Sequence, residues 1–401
     1  MGQNHERANQ KSSSARRTGM FIAIKSQKSM LISRMATACP QSRSISSVFR
    51  ARLLSSVLHS SCSVFASGLF AAFTGCTTSS GFLGPTRETP VPAVRLWPAD
   101  EPDAPRAVYV QSITRPADAG VKSSGLTRFT RWITGSSAGN ELLQKPFGIA
   151  LDEKDDLCLT DTAANTLCYL DRAKKKWHKW EKVGKVRFSS PVAIARHKNV
   201  FYVADSGLPA VLVLDERGKL LWQATNRLER PSGLTVEGER LFVTDSARHC
   251  VLSFDLLGHF LREFGRRGVG PGEFNFPTHI AADREGNLYV TDSMNSRVQI
   301  FDLDGKFKGE IGSVGDSTGH FSRPKGVASD SFGHVYVVDG MFDNIQVFDR
   351  AGRFLMTLGE SGTEPGQFWL PNGIAISRDN QIFVADSYNH RVQVFKYVGP
   401  P

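Results

Sequence analysis

One feature restricts this chain more than any other: a unit of sequence that recurs six times. A phrase of the form Pro-x-Gly-Ile-Ala begins at Pro146, Pro191, Pro231, Pro277, Pro324 and Pro371. A second phrase, apolar and β-branched, ends at Asp161, Asp205, Asp245, Asp292, Asp339 and Asp386, at spacings of 44, 40, 47, 47 and 47 residues. Six residues after each Asp stands an aliphatic side chain (Leu167, Val211, Val251, Val298, Ile345, Val392). Nine after it stands Leu170, Leu214, Phe254, Phe301, Phe348 or Phe395. Six copies in register at four positions make each copy one supersecondary unit, too small to bury its own apolar faces.

Each unit reads as four short strands. In the fourth unit they are the segment after Pro277, Leu288-Tyr-Val-Thr-Asp292, Arg297-Val-Gln-Ile-Phe-Asp302 and the segment around Phe307, with turns such as Asp304-Gly305 between them. The third alternates with the period of two expected of a strand. Four strands at a period of about 40–50 residues is the arithmetic of a propeller blade. We therefore expect an all-β, six-bladed β-propeller. The sixth unit stops after its third strand, near Tyr397, while Arg106-Ala-Val-Tyr-Val-Gln-Ser-Ile113 is a lone strand-like segment before the first unit. An unpaired edge is a liability, so this N-terminal strand is expected to complete blade 6 and close the ring.

Asp292-Ser-Met-Asn-Ser-Arg-Val-Gln-Ile-Phe301 and Asp386-Ser-Tyr-Asn-His-Arg-Val-Gln-Val-Phe395 resemble the NHL repeat. So do the linkers Gly265-Arg-Arg-Gly-Val-Gly-Pro-Gly-Glu-Phe274 and Gly359-Glu-Ser-Gly-Thr-Glu-Pro-Gly-Gln-Phe368. The resemblance covers residues 146–396 and itself implies a six-bladed propeller. Blades 1 and 2 depart from it: where the family has Asn-x-Arg they carry Ala164-Asn-Thr166 and Leu208-Pro-Ala210.

The chain carries a formal net charge of +10, but residues 1–76 hold ten Lys/Arg and one acid, leaving 39 Lys/Arg against 38 Asp/Glu in the rest. The repeats thus have no excess charge to hold a phosphate backbone, and a nucleic-acid partner is not expected. Within residues 1–76, Arg43, Arg50 and Arg52 precede an apolar run from Val64 to Gly75, and Cys76 follows. This resembles a bacterial lipoprotein signal, implying lipidation at Cys76, a membrane anchor and a place in the cell envelope on the periplasmic or cell-surface side. Cleavage after Ala72 and secretion as a soluble protein is the alternative. Met35 is a candidate for the true start. Residues 77–105, rich in Pro, are expected to be a semi-stiff tether, with the propeller at 106–397.

The six recurring Asp residues serve every blade, so they are expected to bond turn amides rather than to form a site. Arg297 and Arg391 are expected to pair locally. Functional candidates are the positions that vary within the frame. Directly after each opening Pro come Phe147, Val192, Ser232, Thr278, Lys325 and Asn372, expected at one mouth of the ring. His279 joins them because it replaces the Gly of four other repeats. No Cys-x-x-Cys or His-Glu-x-x-His is present. His249, His279 and His390 lie toward the same end, the one arrangement similar to the zinc site of NHL-type peptidyl-hydroxyglycine lyases. Cys158 and Cys168 sit on neighbouring strands, where a disulfide is open. We expect a monomeric, membrane-anchored module binding a protein, peptide or glycan, with no catalytic residues and no cofactor. The alternative is a lyase or lactonase using zinc or calcium at the mouth.

Overall fold

The protein is described here by a computed structural model that places residues 96–97, 106–121 and 142–399. The leader, Cys76 and most of the expected tether lie outside these residues.

Blade 1 comprises Pro146–Leu151, Leu157–Asp161, Thr166–Asp171 and Lys176–Trp180, paired antiparallel from the axis outward. Blade 2 is Pro191–His197, Val200–Asp205, Ala210–Asp215 and Leu220–Ala224. Blade 3 runs Pro231–Glu237, Arg240–Asp245, Cys250–Asp255 and Phe260–Phe264. Blade 4 follows as Pro277–Ala282, Asn287–Asp292, Arg297–Asp302 and Phe307–Ile311. Blade 5 is Pro324–Ser329, Val335–Asp339, Asn344–Phe348 and Phe354–Leu358. Blade 6 has Ile374–Ile376, Gln381–Asp386 and Arg391–Tyr397 in sequence order. Ala107–Ile113 pairs antiparallel with Arg391–Tyr397, so the N-terminal strand supplies the missing fourth strand as the sequence implies. Leu96–Trp97, inside the expected tether, adds a fifth strand outside it. The buried Trp97 ring packs edge-on against Phe395 at 5.4 Å, so the blade reaches about ten residues further upstream than residue 106.

The second and third strands are almost wholly buried because each blade is covered on both faces. Six apolar clusters result, one in each gap between neighbouring blades. The gap between blades 6 and 1 holds Ile113 of the closing strand together with Leu157, Leu159, Val392 and Val394. No gap is left open, so the ring has no free blade face to expose.

In the four blades that have glycine at the third place of the opening phrase, it is there for space. A Cβ on Gly148 would meet the Val192 carbonyl at 2.8 Å, one on Gly233 the Thr278 carbonyl at 2.6 Å, and one on Gly373 the Phe147 carbonyl at 2.2 Å. None of the three has a positive φ. Inner strands approach their neighbours until backbone meets backbone, and Gly373 N donates to Phe147 O at 3.0 Å across blades 6 and 1.

The linker glycines answer a different need. Gly265, Gly312 and Gly359 have φ of 90°, 75° and 83°, which disfavours any other residue. Each also lies under the buried ring of Phe274, Phe321 or Phe368.

Cys158 and Cys168 are free and buried. Cys168 stands opposite Leu159, not Cys158. Alternate residues of a strand point to opposite faces, so the two thiols lie on opposite sides of blade 1 and cannot bond.

Deletion of residues 106–113 would leave blade 6 with three strands and uncover Ile113's side of the gap to blade 1. Losing that burial is expected to destabilise the ring by roughly 5 kcal/mol or more, read as a lower midpoint in thermal denaturation. An unchanged midpoint would overturn the closure.

Candidate functional site

The strand-two Asp residues are frame, as expected, and they hold more than their own hairpins. Asp205 accepts from the amides of Ser189 and Ser190 in the incoming linker and of Gly207 and Leu208 in the next turn. Asp161, Asp245 and Asp339 do the same with their own neighbours. In blades 4 and 6 the motif side chains take over part of this role. Asp292 is bound by Asn295, Arg297 and Gln299, and Asp386 by Asn389, Arg391 and Gln393. Arg297 and Arg391 also donate to linker carbonyls. These carboxylates are spent on folding.

At the same end of the ring lies a cavity of about 460 Å³, within the range of small-ligand and peptide pockets. Phe147, Val192, Ser232, Thr278, His279 and Lys325 line it. Asn372 does not. It is buried, and its amide donates to Leu370 O and Ser387 Oγ, because blade 6 begins its inner strand late and uses Asn372 to close the turn. Ser232 faces the cavity, but its hydroxyl is already engaged with Pro277 O at 2.9 Å.

The cavity also gathers residues the repeat analysis did not single out. Arg230, Phe276 and Arg323 come directly before their opening Pro, and Ser206, Ser246 and Ser293 directly after the strand-two Asp. The signal was available, since the pre-Pro position varies as much as the post-Pro one: Lys145, Ser190, Arg230, Phe276, Arg323 and Leu370. The serines have a structural task. Ser206 Oγ donates to Pro231 O at 2.5 Å and Ser293 Oγ to Pro324 O at 2.9 Å, each clamping its blade to the next.

Arg230, Arg323 and Lys325 bring three cations to the cavity, and among the described residues no Asp or Glu lines it. Among the described residues none of the three forms an ion pair. Lys325 lies deep enough that burial, with Arg323 beside it, pushes its ammonium down to about 8. His279 occupies the place that glycine holds in four other blades, and its ring stacks over Phe147 from the opposite side of the axis, centroids 6.3 Å apart. Burial first, and then Lys325, pushes the imidazole down to about 3, so it is neutral. Neither ring nitrogen, nor Thr278 Oγ1, has a hydrogen-bond partner. Buried polar atoms without partners are uncommon in native folds, and here all three belong to the lining of one cavity.

The three histidines are not brought together. His249 Nδ1 accepts the Phe276 amide at 3.1 Å. His390 is exposed on blade 6 and contacts Gln144 O. Among the described residues no three His, Cys, Asp or Glu side chains meet in a way that would hold a metal. The lyase-like zinc arrangement therefore does not fit these residues.

Comparison with known proteins agrees with the architecture. A family model described as a 6-bladed beta-propeller matches residues 222–314, and the NHL repeat model matches 368–395. No curated protein sequence matches the chain. Among solved structures, an auxiliary nutrient binding protein from Bacteroides thetaiotaomicron is similar at 14% identity, over 64% of this chain and 69% of that one, with a TM-score of 0.51. A gluconolactonase from Xanthomonas campestris is similar at 16% identity over 64% and 87%, with a TM-score of 0.50. Virginiamycin B lyase from Staphylococcus aureus is similar at 13% identity over 64% and 96%, with a TM-score of 0.49. At these identities the likeness is one of fold.

The depressed Lys325 pKa makes a stability prediction. The charged form is disfavoured in the fold relative to the ordinary value of 10.5. The fold therefore bears a cost below pH 8 that fades as pH rises from about 8 past 10. At pH 7 that cost is on the order of 3 kcal/mol. Lys325→Met is expected to raise Tm at pH 7, with the gain shrinking toward pH 10. A variant no more stable than the parent at pH 7 would contradict this. The described residues form an all-β, six-bladed propeller, and residues 368–395 match the NHL repeat.

Proposed function

We propose that this propeller is an exported, lipid-anchored binding module whose mouth holds the acidic group of a protein, peptide or glycan. One observation carries the reading: among the described residues, a ligand-sized cavity with three unpaired cations, a neutral unpartnered histidine and no acid in its lining. Such a site is short of negative charge and of hydrogen-bond partners, and an anionic ligand supplies both. The electrophilic set lacks an acid or a base poised near neutral pH beyond Lys325, which favours binding over catalysis.

The reading is tested with benzoate and a uronic-acid oligosaccharide as probes in calorimetric titration. A paired Lys325→Ala and His279→Ala variant that still folds is expected to lose roughly 1.5–3 kcal/mol of binding. Affinity is also expected to fall as pH rises through about 8, since Lys325 then loses its charge. Binding at parental strength in the variant would sink the mouth as the site. Binding that disappears on chelation and returns with zinc would move the lyase reading ahead.

The anchor is a separate proposal that rests on the apolar run before Cys76. Cys76→Ser is expected to release the protein from membranes. Parental protein found in the soluble cytosolic fraction would contradict it.

A further inference from the structure

The cations of the cavity leave one feature of its rim unexplained. Two residues after the strand-two Asp, blades 1 to 3 carry Ala163, Gly207 and Ala247, whereas blades 4 to 6 carry Met294, Met341 and Tyr388. Phe276 and Trp369, in the linkers into blades 4 and 6, lie at the same end. All five are large, and they are between 38% and 50% exposed. Trp369 and Tyr388 pack ring to ring at 5.6 Å. The arc is continuous with the cavity at blade 4, where Phe276 and Met294 are part of the lining. It also touches the cations, since Arg323 reaches Met294 Sδ at 3.3 Å. Clustered exposed apolar side chains on a soluble fold mark a contact surface. Met, Phe, Tyr, Trp and Arg are the residues enriched in protein interfaces, Met because it adapts to varied apolar partners.

The cavity also narrows toward the axis. Beneath His279 the inner strands close to backbone contact, and the void remaining between them is only about 40 Å³. A void of that size is too small for a polypeptide to thread through.

We propose that the mouth and arc together receive the C-terminal end of a polypeptide. Its terminal carboxylate sits among Lys325, Arg323 and Arg230, and its preceding apolar side chains lie on the arc of blades 4 to 6. A pocket that narrows inward, with Lys325 deep in it and the exposed Arg230 and Arg323 about its mouth, suits a chain end, and an apolar arc beside it suits hydrophobic side chains. This rests on the anion-binding reading above and narrows it to one ligand class.

The test uses the full chain and short peptides of randomised, apolar-rich C-terminal sequence, prepared as free acids and as C-terminal amides, in fluorescence polarisation. Free acids are expected to bind, with the amides weaker by about tenfold or more. Met341→Ser with Trp369→Ser, both exposed, outside the cavity lining and expected to fold, should weaken peptide binding by about tenfold. The same variant should leave benzoate binding unchanged, while Lys325→Met should weaken both probes. Equal binding of acids and amides overturns the proposal. So does peptide binding indifferent to the rim variant, or a uronic-acid oligosaccharide bound more tightly than any peptide. In those cases the anion-binding mouth still stands if benzoate binds and Lys325→Met removes it. Binding of neither benzoate nor peptide overturns both readings.

Discussion

The fold depends on a carboxylate buried at the end of the second strand of every blade. Asp205, Asp245, Asp292, Asp339 and Asp386 are fully buried and Asp161 nearly so. A buried charge is tolerable only when its lone pairs are met by donors. Each of these is met from two directions: the linker arriving from the previous blade and the turn leaving its own hairpin. That arrangement fixes where the first strand starts relative to the second. Once this is set, the inner strands can approach to backbone contact, and the apolar faces of adjacent blades meet in six closed clusters.

Two chemistries satisfy the same carboxylate, which explains how units of unequal sequence build equal blades. In blades 4 and 6, Asn, Arg and Gln side chains surround Asp292 and Asp386, and the arginine also ties down linker carbonyls. In blades 1 and 2, where Asn-x-Arg is absent, the amides at Ala163, Ala164, Gly207 and Leu208 fill the place. Backbone donors are available to any sequence that can form the turn. The motif is thus free to drift while the geometry persists.

This accounts for what the sequence makes legible. Repeat period, strand count and closing strand follow from patterns that every blade must obey. The missing fourth strand of blade 6 was visible because six units can be compared with one another. The site is legible only in part, because a one-off site leaves no repeat. Variation after the opening Pro pointed to Lys325, Thr278 and His279, which the fold does bring to one cavity. It also pointed to Asn372, which the shortened inner strand of blade 6 takes for its own turn. Arg230 and Arg323 sit one residue earlier, before a Pro so regular that it drew attention past them. The fifth strand at Leu96–Trp97 is only two residues long, and in a Pro-rich segment it leaves almost no periodicity to detect.

His279 shows why the mouth differs from the rest of the ring. Glycine is wanted at this place because neighbouring backbones come within a Cβ's reach, as at Gly148, Gly233, Gly326 and Gly373. Its φ is not positive, so the constraint there is room rather than backbone freedom. An imidazole in that place joins the cavity lining and leaves two buried nitrogens without partners. Lys325 on the next blade adds a charge that burial opposes. Elsewhere among the described residues only single buried side-chain atoms of Arg196, His197 and Asn344 lack a hydrogen-bond partner. Departures from local consistency gather where a fold serves something beyond itself. Here two of them stand on adjacent blades in the lining of one cavity, each lacking what an acidic ligand would bring.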